Sequence, residues 1–222
     1  ILGSPWVGFK YFEMFFSNPL AVRTIKNTFL LGLYNLLWSF PAPIILALLF
    51  NELKNQRFKK IIQTISYYPN FVSTVIIIGM LSTFCASDGI FNDIRGIFGA
   101  EPVNFMGEPE YFRTLYIASG IWQGVGFGTI IYLASLSGVD PTLYDVADID
   151  GASRLAKIWH ITLPHLKPTI VILLIMAVGG TFGADSNKIL LMYSPATYST
   201  ADVIGTYTCL LYTSDAADDL TR

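Results

Sequence analysis

The chain has 222 residues, of which 53% are hydrophobic and only 14% are charged, and its formal net charge is −2. Soluble domains carry about 25% charged residues, so this composition, with a mean hydropathy of +0.52, indicates an integral membrane protein. The slightly negative net charge gives nucleic-acid binding no electrostatic basis, and that class of function is excluded. The two cysteines, Cys85 and Cys209, lack the spacing of a metal site or a redox motif.

Both ends of the sequence are expected to differ from natural termini. The first residue is Ile1 rather than methionine, so we expect the natural N-terminus to be missing. The C-terminal run CLLYTSDAADD, from Cys209 to Asp219, resembles the translation of a transposase sequencing adapter. Residues 209–222 are therefore predicted to be a non-native tail, and a native acidic tail is the alternative.

Hydrophobic segments predict four membrane-spanning helices, at about 27–50, 61–85, 114–136 and 166–184. At about 1.5 Å per residue, such segments can cross a hydrocarbon core of roughly 30 Å. Pro41 and Pro43 should kink the first span, and Pro69 interrupts the second. Residues 1–26 are rich in aromatic side chains and are predicted to be an extracytoplasmic or interfacial segment. A fragment lacking one span at each end would fit a six-span bundle.

Cationic residues predict the orientation of these spans. The loop after the first span carries Lys54, Arg57, Lys59 and Lys60, and the loop 137–165 carries Arg154 and Lys157. By the positive-inside rule both loops are cytoplasmic, whereas the more acidic segment 86–113 is external. The sequence therefore predicts a multi-pass protein of the cell membrane, plasma or inner.

The third span holds the candidates for a substrate path. It is uncharged and rich in glycine, which lets helices approach closely, and it contains Trp122 and Gln123. An aromatic ring and an amide suit a sugar, because the ring stacks on the pyranose and the amide binds hydroxyl groups. The alternative is that both side chains only pack against neighbouring helices.

A polar stretch from Asp140 to Pro168 separates the third and fourth spans. Asp140 predicts an N-cap with Pro141 at the first helical position, and the helix 141–149 ends at Gly151. A second helix from Ala152 to about His160 is predicted to stop at the pair Leu163-Pro164.

The chemistry of this stretch favours docking to a soluble protein. Small residues at Ala147, Gly151 and Ala152 keep the elbow between the two helices slim enough to enter a groove, and carboxylates at Asp145, Asp148 and Asp150 offer partners for Arg or Lys. The alternative is an amphipathic hairpin on the lipid surface. Such helices favour a Lys/Arg-rich polar face, whereas the first half of this one is acidic.

Residues Asp145 to Pro164 resemble the EAA loop of permease subunits of bacterial ABC importers. The family pattern is Glu-Ala-Ala, three residues, Gly, nine residues and Ile-x-Leu-Pro. Here Asp145-Val146-Ala147 stands for Glu-Ala-Ala, and Asp150-Gly151-Ala152 and Ile161-Thr162-Leu163-Pro164 match. The phrases FPAPIILALLFNELKN, TISYYPNF and IWHITLPHLKPTIVILLI resemble the carbohydrate branch, including permeases for polysaccharides.

The resemblance implies an all-α membrane protein, a polytopic helical bundle of the type I ABC importer permease kind, with residues 27–208 as the permease domain and a cytoplasmic coupling helix. It implies partners: ABC ATPase subunits, a second permease subunit, an extracytoplasmic substrate-binding lipoprotein and membrane lipid. No cofactor is expected on this chain, since ATP and Mg would be bound by the partner ATPase. The implied ATPase-coupling residues are Asp145, Ala147, Asp150, Gly151, Ala152, Leu163 and Pro164.

Two other functions are weighed against a sugar importer subunit. A permease for another solute, such as a peptide or an amino acid, would share the EAA loop. An intramembrane enzyme needs a nucleophile and a base at membrane depth, but both histidines, His160 and His165, lie in or beside the cytoplasmic loop. No catalytic and no metal-ligating residue is predicted, and the sequence has no GxxxxGK[ST] phosphate loop.

Overall fold

The computed structural model describes residues 8–181 and 183–210, which form helices and loops without a β-strand. The prediction of an all-α protein is thereby confirmed. Residues 1–7, 182 and 211–222 lie outside the described residues, and with them most of the predicted non-native tail. The chain divides into two compact units, one of Ile1–Gly32, Cys85–Arg113 and Phe182–Arg222, the other of Leu33–Phe84 and Thr114–Thr181.

The helices follow one another with short connections. They are α1 (Lys10–Phe16), α2 (Pro19–Tyr34), α3 (Pro41–Asn51), α4 (Gln56–Tyr67), α5 (Thr74–Cys85), α6 (Ile90–Ile97), α7 (Pro109–Leu136), α8 (Pro141–Ile149), α9 (Arg154–Lys157), α10 (Leu163–Gly179), α11 (Ser186–Leu191) and α12 (Tyr198–Ala201). Residues 204–210 are also helical. Shorter turns are π-helical at Asn35–Ser39 and Ile158–Thr162 and 3-10 at Tyr68–Phe71 and Pro195–Thr197.

Four helical segments in the described part of the chain are long and apolar enough to cross a membrane: Pro19–Asn51, Thr74–Ile97, Pro109–Leu136 and Arg154–Gly179. Their number agrees with the four predicted hydrophobic segments, but the borders differ. The first segment begins eight residues before the predicted residue 27, the second begins at residue 74 rather than 61, and the fourth begins at residue 154 rather than 166.

The two π-helical turns each come just before a proline. Phe40 N donates to Asn35 O at 3.3 Å, five residues back, and Pro41 follows. A proline ring collides with the carbonyl four residues before it in a regular α-helix, and a wider turn at this place gives that carbonyl room. The turn Ile158–Thr162 stands in the same relation to Pro164, so both helices continue through their prolines.

The unit of Leu33–Phe84 and Thr114–Thr181 is held by a core between α3, α7 and α10. Its buried members are Ile44, Ala47, Tyr132, Leu136, Val139 and Leu166. Glycines of α7 bring the helices close: a Cβ at Gly126 would collide with the backbone carbonyl of Ser66 on α4, and one at Gly128 would lie 2.9 Å from the Pro43 ring. The predicted role of small residues in close helix packing is seen at these two glycines.

The predicted second span, 61–85, consists of two helices. α4 and α5 are separated by the 3-10 turn Tyr68–Phe71 and by an extended residue, Val72, with φ −84° and ψ 135°. Pro69 lies in this turn, as its position in the sequence suggested. The contact between Ser66 and Gly126 is ten residues from the end of α7, or about 15 Å along that helix, so the break lies beside the interior of a candidate span and not at its end.

The other unit is held by buried polar side chains. On α2, Thr24, Asn27 and Thr28 are buried; Asn27 Nδ2 donates to Ser199 O at 3.0 Å, and Thr28 Oγ1 accepts from Ile204 N at 3.0 Å. The spacing i, i+3, i+4 of these three residues could have indicated a buried polar face, but their contacts with residues 199–204 were not predicted from the sequence.

A charged cluster completes this polar core. Arg23 forms an ion pair with Asp202, whose second oxygen accepts a hydrogen bond from the Tyr193 hydroxyl. Asp202 is only 9% exposed, so its charge is compensated by these two donors rather than by water. The Arg113 guanidinium donates to Asn27 Oδ1 at 2.9 Å and joins the first turn of α7 to α2.

Candidate functional site

The polar stretch between the third and fourth apolar helices folds as predicted in its first half. Asp140 caps α8, its Oδ1 accepting from Thr142 N at 2.9 Å, and Pro141 occupies the first helical position. The hydrogen bonds from the backbone and side chain of Thr142 hold the pKa of the Asp140 carboxyl below its usual range. The helix spans Pro141–Ile149, the same bounds that the sequence predicted.

Gly151 forms the elbow after α8. Its φ is +72°, a conformation that residues with a Cβ adopt at a cost of roughly 1–2 kcal/mol. The turn has the hydrogen bonds of a Schellman motif: Ala152 N donates to Ala147 O at 2.8 Å and Gly151 N to Asp148 O at 3.1 Å. Nothing lies within 4 Å of a Cβ built on Gly151, so glycine is needed here for backbone conformation and not for space.

The second half of the stretch differs from the prediction. Ser153 is the N-cap, its Oγ accepting from Ala156 N at 3.3 Å, and the helical run then continues without a stop to Gly179. The prediction that Leu163-Pro164 ends the second helix is wrong. The wider π-helical turn Ile158–Thr162 makes room for the Pro164 ring. Leu163 and Pro164 therefore lie at the start of α10, inside a continuous helix.

The elbow presents a mixed acidic and apolar surface to solvent. Asp145, Asp148 and Asp150 are all exposed, and Asp148 forms an ion pair with Lys157. Ile149, beside the elbow, is 86% exposed. Ile149 was not predicted to be a site residue, although its place directly before Asp150-Gly151 could have indicated it. Leu143 and Val146 of the same helix are also exposed, and an exposed apolar patch rimmed by charged residues marks an interaction surface.

One face of α8 fixes the elbow to the body of its unit. The Tyr144 hydroxyl lies 3.0 Å from Thr162 Oγ1 in the π-helical turn, and the Tyr144 ring packs on the core of Ile44, Tyr132 and Leu166. Further along, Ser135 O near the end of α7 lies 3.1 Å from His165 Nε2. The elbow is therefore carried by ordered elements rather than by a free loop.

The two predicted path residues, Trp122 and Gln123, lie on α7 beside the break between α4 and α5. Gln123 Nε2 donates to Val72 O at 3.2 Å, a carbonyl that the extended backbone withdraws from helical pairing. The Trp122 side chain is 51% exposed. Neighbouring positions on a helix point about 100° apart, so the two side chains do not form one combined surface. Their contact with a substrate stays a prediction.

A family model matches residues 20–186, and its description is "Binding-protein-dependent transport system inner membrane component". The polygalacturonan/rhamnogalacturonan transport system permease protein YteP of Bacillus subtilis is 43% identical over 208 residues, covering 93% of this chain and 65% of that protein. Protein LplB of the same organism is 39% identical and covers 94% of this chain and 66% of that protein. The chain thus spans about two thirds of the length of these curated relatives.

Solved structures are similar over nearly the whole chain. A bacterial ABC transporter involved in the import of the acidic polysaccharide alginate has a chain that superposes with a TM-score of 0.92 at 42% identity, covering 97% of this chain and 76% of that chain. The same comparison with a bacterial alginate ABC transporter in complex with an alginate pentasaccharide-bound periplasmic protein gives a TM-score of 0.91, also at 42% identity, and covers 95% and 73%.

Proposed function

Because the chain belongs to the family of binding-protein-dependent transport system inner membrane components, we propose that it is a membrane-spanning permease subunit of an ATP-driven ABC importer. Family membership makes it a transport component of the inner membrane rather than an enzyme. Within this proposal, the observation that carries most weight is the exposed elbow at Gly151, which joins α8 to a helix long enough to span the membrane.

The residues from Asp145 to Ala152 are the proposed docking element for an ATPase subunit. The slim turn at Gly151, the carboxylates and the exposed Ile149 provide shape, charge and apolar area for a groove on a soluble partner. Leu163 and Pro164 do not act as a stop; in this proposal they belong to the helix that passes movement of the elbow to the membrane-spanning part.

The partners and the energy source follow from the importer proposal. The ATPase subunits bind ATP and Mg²⁺, so this chain carries no cofactor. A second permease subunit completes the path through the lipid bilayer. An extracytoplasmic binding lipoprotein delivers the substrate, and support for it comes from the similar alginate transporter, which is in complex with a substrate-bound periplasmic protein.

The proposed substrate is an oligosaccharide derived from a polysaccharide. Support comes from the names of the relatives, which include transport of polygalacturonan and rhamnogalacturonan and import of acidic alginate. On this chain the break at Tyr68–Phe71, with Trp122 and Gln123 beside it, is the proposed part of the path, because discontinuous helices near the bilayer centre are a common way to build transport sites.

Loss of the ATPase from a Gly151→Asp variant tests the coupling assignment. The full-length protein is co-expressed with its second permease and ATPase, and ATPase retention is measured after purification in detergent. We expect near-complete loss of the ATPase, since a side chain is placed on the slim elbow that has to enter the ATPase groove, at a position with positive φ. Ala147→Arg, which adds bulk and a positive charge, is expected to have the same effect.

Gly99→Asp is the matched control. Gly99 also has a positive φ, +74°, also has open space around a built Cβ, and lies far from α8 in the sequence. The Gly99→Asp variant should have the same backbone strain as Gly151→Asp and should retain the ATPase. Equal retention in both variants, with both proteins monodisperse, would show that the elbow is not the docking element.

The substrate class is tested in liposomes with the complete transporter. ATP hydrolysis is measured with the binding protein loaded with uronic-acid oligosaccharides, with neutral oligosaccharides or with peptides. We expect severalfold stimulation by an oligosaccharide and none by peptides. Stimulation by peptides alone would leave the importer proposal standing and overturn the sugar assignment.

A further inference from the structure

A polar cleft of about 570 Å³ opens at one end of the unit formed by Leu33–Phe84 and Thr114–Thr181. Asn51, Glu52 and Lys54 line one wall, at the end of α3, and Ser153, Arg154 and Lys157 line the other, at the start of α9. Its volume falls within the roughly 300–1,000 Å³ of small-ligand sites. Tyr144, Asp148 and Ala152 line it as well, so the cleft adjoins the docking element proposed above.

The helices that border the cleft indicate its position across the membrane. One candidate span ends at Asn51, and another begins at Arg154. The helix that begins at Arg154 has 26 residues and is about 39 Å long, which exceeds the roughly 30 Å of the hydrocarbon core. We therefore place its first turn, and the cleft beside it, at the level of the lipid headgroups. The cationic residues around it, which the positive-inside rule assigns to the cytoplasm, place it at the inner leaflet, where anionic lipids attract basic residues.

Three cations, Lys54, Arg154 and Lys157, and two carboxylates, Glu52 and Asp148, line the cleft, and the excess of one positive charge favours an anion. Lys157 is already paired with Asp148. In the parts of the chain that the structure describes, neither Lys54 nor Arg154 has a carboxylate within ion-pair distance. A guanidinium matches the geometry of a phosphate, with two parallel hydrogen bonds, and an ammonium adds a point charge. Two cations that face one cleft without a protein partner are suited to a phosphate group.

Exposed apolar side chains lie on the same two helices just beyond the cleft. Ile45 and Leu49 are exposed on α3, one turn apart, and Leu155 and Trp159 are exposed on α9 and the π-helical turn. These side chains provide a surface for hydrocarbon that a soluble anion or an acidic protein segment would not use. The cleft combines a site for a charged headgroup with a place for acyl chains.

We infer that this cleft binds the headgroup of an anionic glycerophospholipid of the inner leaflet, of the phosphatidylglycerol type. The phosphate lies between Lys54 and Arg154, and the glycerol hydroxyls donate to the Glu52 carboxylate and to the Ser153 side chain. This lipid site fixes the start of the helix that follows the elbow, so lipid composition would affect coupling. The inference requires that the protein spans the membrane with this cleft at the inner leaflet, and it does not depend on the transport proposal.

Lipid binding to the full-length protein purified in detergent tests the inference by native mass spectrometry. Phosphatidylglycerol and phosphatidylethanolamine are added at equal concentration, and the bound fraction is counted. We expect clear preference for phosphatidylglycerol, reduced about thirtyfold in a Lys54→Gln/Arg154→Gln double variant, since each basic residue near a membrane surface contributes about 1 kcal/mol. Asp148→Asn should strengthen binding, because it frees Lys157.

Lys167→Gln is the matched control, an exposed cation on α10 outside the cleft, and should bind lipid as the wild type does. Equal binding of the two lipids, or an unchanged preference in the double variant, would overturn the inference. A double variant that loses the ATPase but keeps the wild-type lipid preference would also overturn the inference, since the cleft would then bind a protein. Displacement by equimolar glycerol phosphate would also overturn it, because acyl chains would then contribute nothing.

Folding of the variants is checked separately by size-exclusion profile and thermal unfolding. If the double variant aggregates, Lys54→Gln alone replaces it, because Lys54 is an exposed loop residue whose truncation should not affect packing. It is expected to lower the phosphatidylglycerol preference severalfold, and an unchanged preference would count against the site. The readout requires no ATPase, so it stays informative if the coupling proposal fails.

Discussion

Lys188 shows how burial changes a single residue in the unit that contains α11. The side chain is only 6% exposed, and burial lowers the pKa of the Lys188 ammonium to about 8, with Asp185 partly opposing the shift. Between this value and the normal pKa of 10.5, the unfolded chain binds the proton more tightly than the folded chain. Stability therefore rises with pH through this window.

The pH dependence of unfolding tests this assignment. From pH 8 to pH 10 the free energy of unfolding should rise by about 2 kcal/mol from Lys188 alone, and a Lys188→Met variant should lose that rise. Denaturant titrations at pH 7, 8, 9 and 10 measure it, with Lys167→Met as the control because Lys167 is exposed. Parallel curves for wild type and Lys188→Met would contradict the shifted pKa.

Single residues were predictable where local chemistry decides their conformation. The Asp140 cap and the Gly151 elbow depend on neighbours within six residues, and both lie where the sequence indicated. The contact of Asn27 with Ser199 joins residues 172 positions apart. No local pattern encodes such a partner, so a polar residue such as Asn27 could be noticed in the sequence but not paired.

At the scale of elements, the glycines of α7 differ in what they do. A Cβ on Gly126 would collide with the Ser66 carbonyl of α4, whereas a Cβ on Gly124, two positions earlier, would meet nothing within 4 Å. The first glycine permits the close contact of two helices. Gly124 makes no such contact, and its only effect is to lower the helix propensity of α7.

Alanine substitutions should separate these two roles. Gly126→Ala is expected to lower the free energy of unfolding by about 3 kcal/mol or more, since a backbone carbonyl has to move. Gly124→Ala should be neutral or raise it by about 0.5–1 kcal/mol. Thermal unfolding in detergent measures both. Similar melting temperatures for the two variants would mean that α4 and α7 are not in close contact at Gly126.

Element borders were predictable only in part. Pro69 correctly indicated an interruption between α4 and α5, but Leu163-Pro164 was interpreted as a stop and lies inside a helix. Both sites carry a proline in an apolar context, and the difference is the π-helical turn before Pro164. Its hydrogen bonds run five residues back, and no propensity of Ile158 to Thr162 distinguishes this pairing from the regular one.

For the whole molecule, the distribution of positive charge fixes the expected orientation in the membrane. The residues before α4 and those around the elbow are predicted to face the cytoplasm, and the acidic segment that contains Glu101 is predicted to face the outside. The family match supports an inner-membrane protein, which requires a definite orientation, and the orientation itself is open to direct measurement.

Thiol labelling of intact cells measures that orientation. In a Cys209→Ser background, which removes an exposed thiol and leaves Cys85 buried, a Glu101→Cys variant should react with a membrane-impermeant maleimide. A Gln56→Cys variant should react only after the cells are permeabilised. Both positions are exposed, so accessibility differs only by membrane side. The reverse pattern would invert the proposed topology and remove the elbow from the ATPase.

The uninterrupted helix from Arg154 to Gly179 has a mechanical consequence. Its 26 residues form a rod of about 39 Å. The rod is joined to the elbow by Ala152 and Ser153, by the ion pair of Asp148 with Lys157 and by the contact of Tyr144 with Thr162. If an ATPase docks at the elbow as proposed, a displacement of Asp150 would be transmitted along this rod, because the helix continues without a break to Gly179. The π-helical turn at Ile158–Thr162 departs from regular helical hydrogen bonding, so substitutions that return this turn to a regular α-helix should change how much of the displacement reaches the far end of the helix.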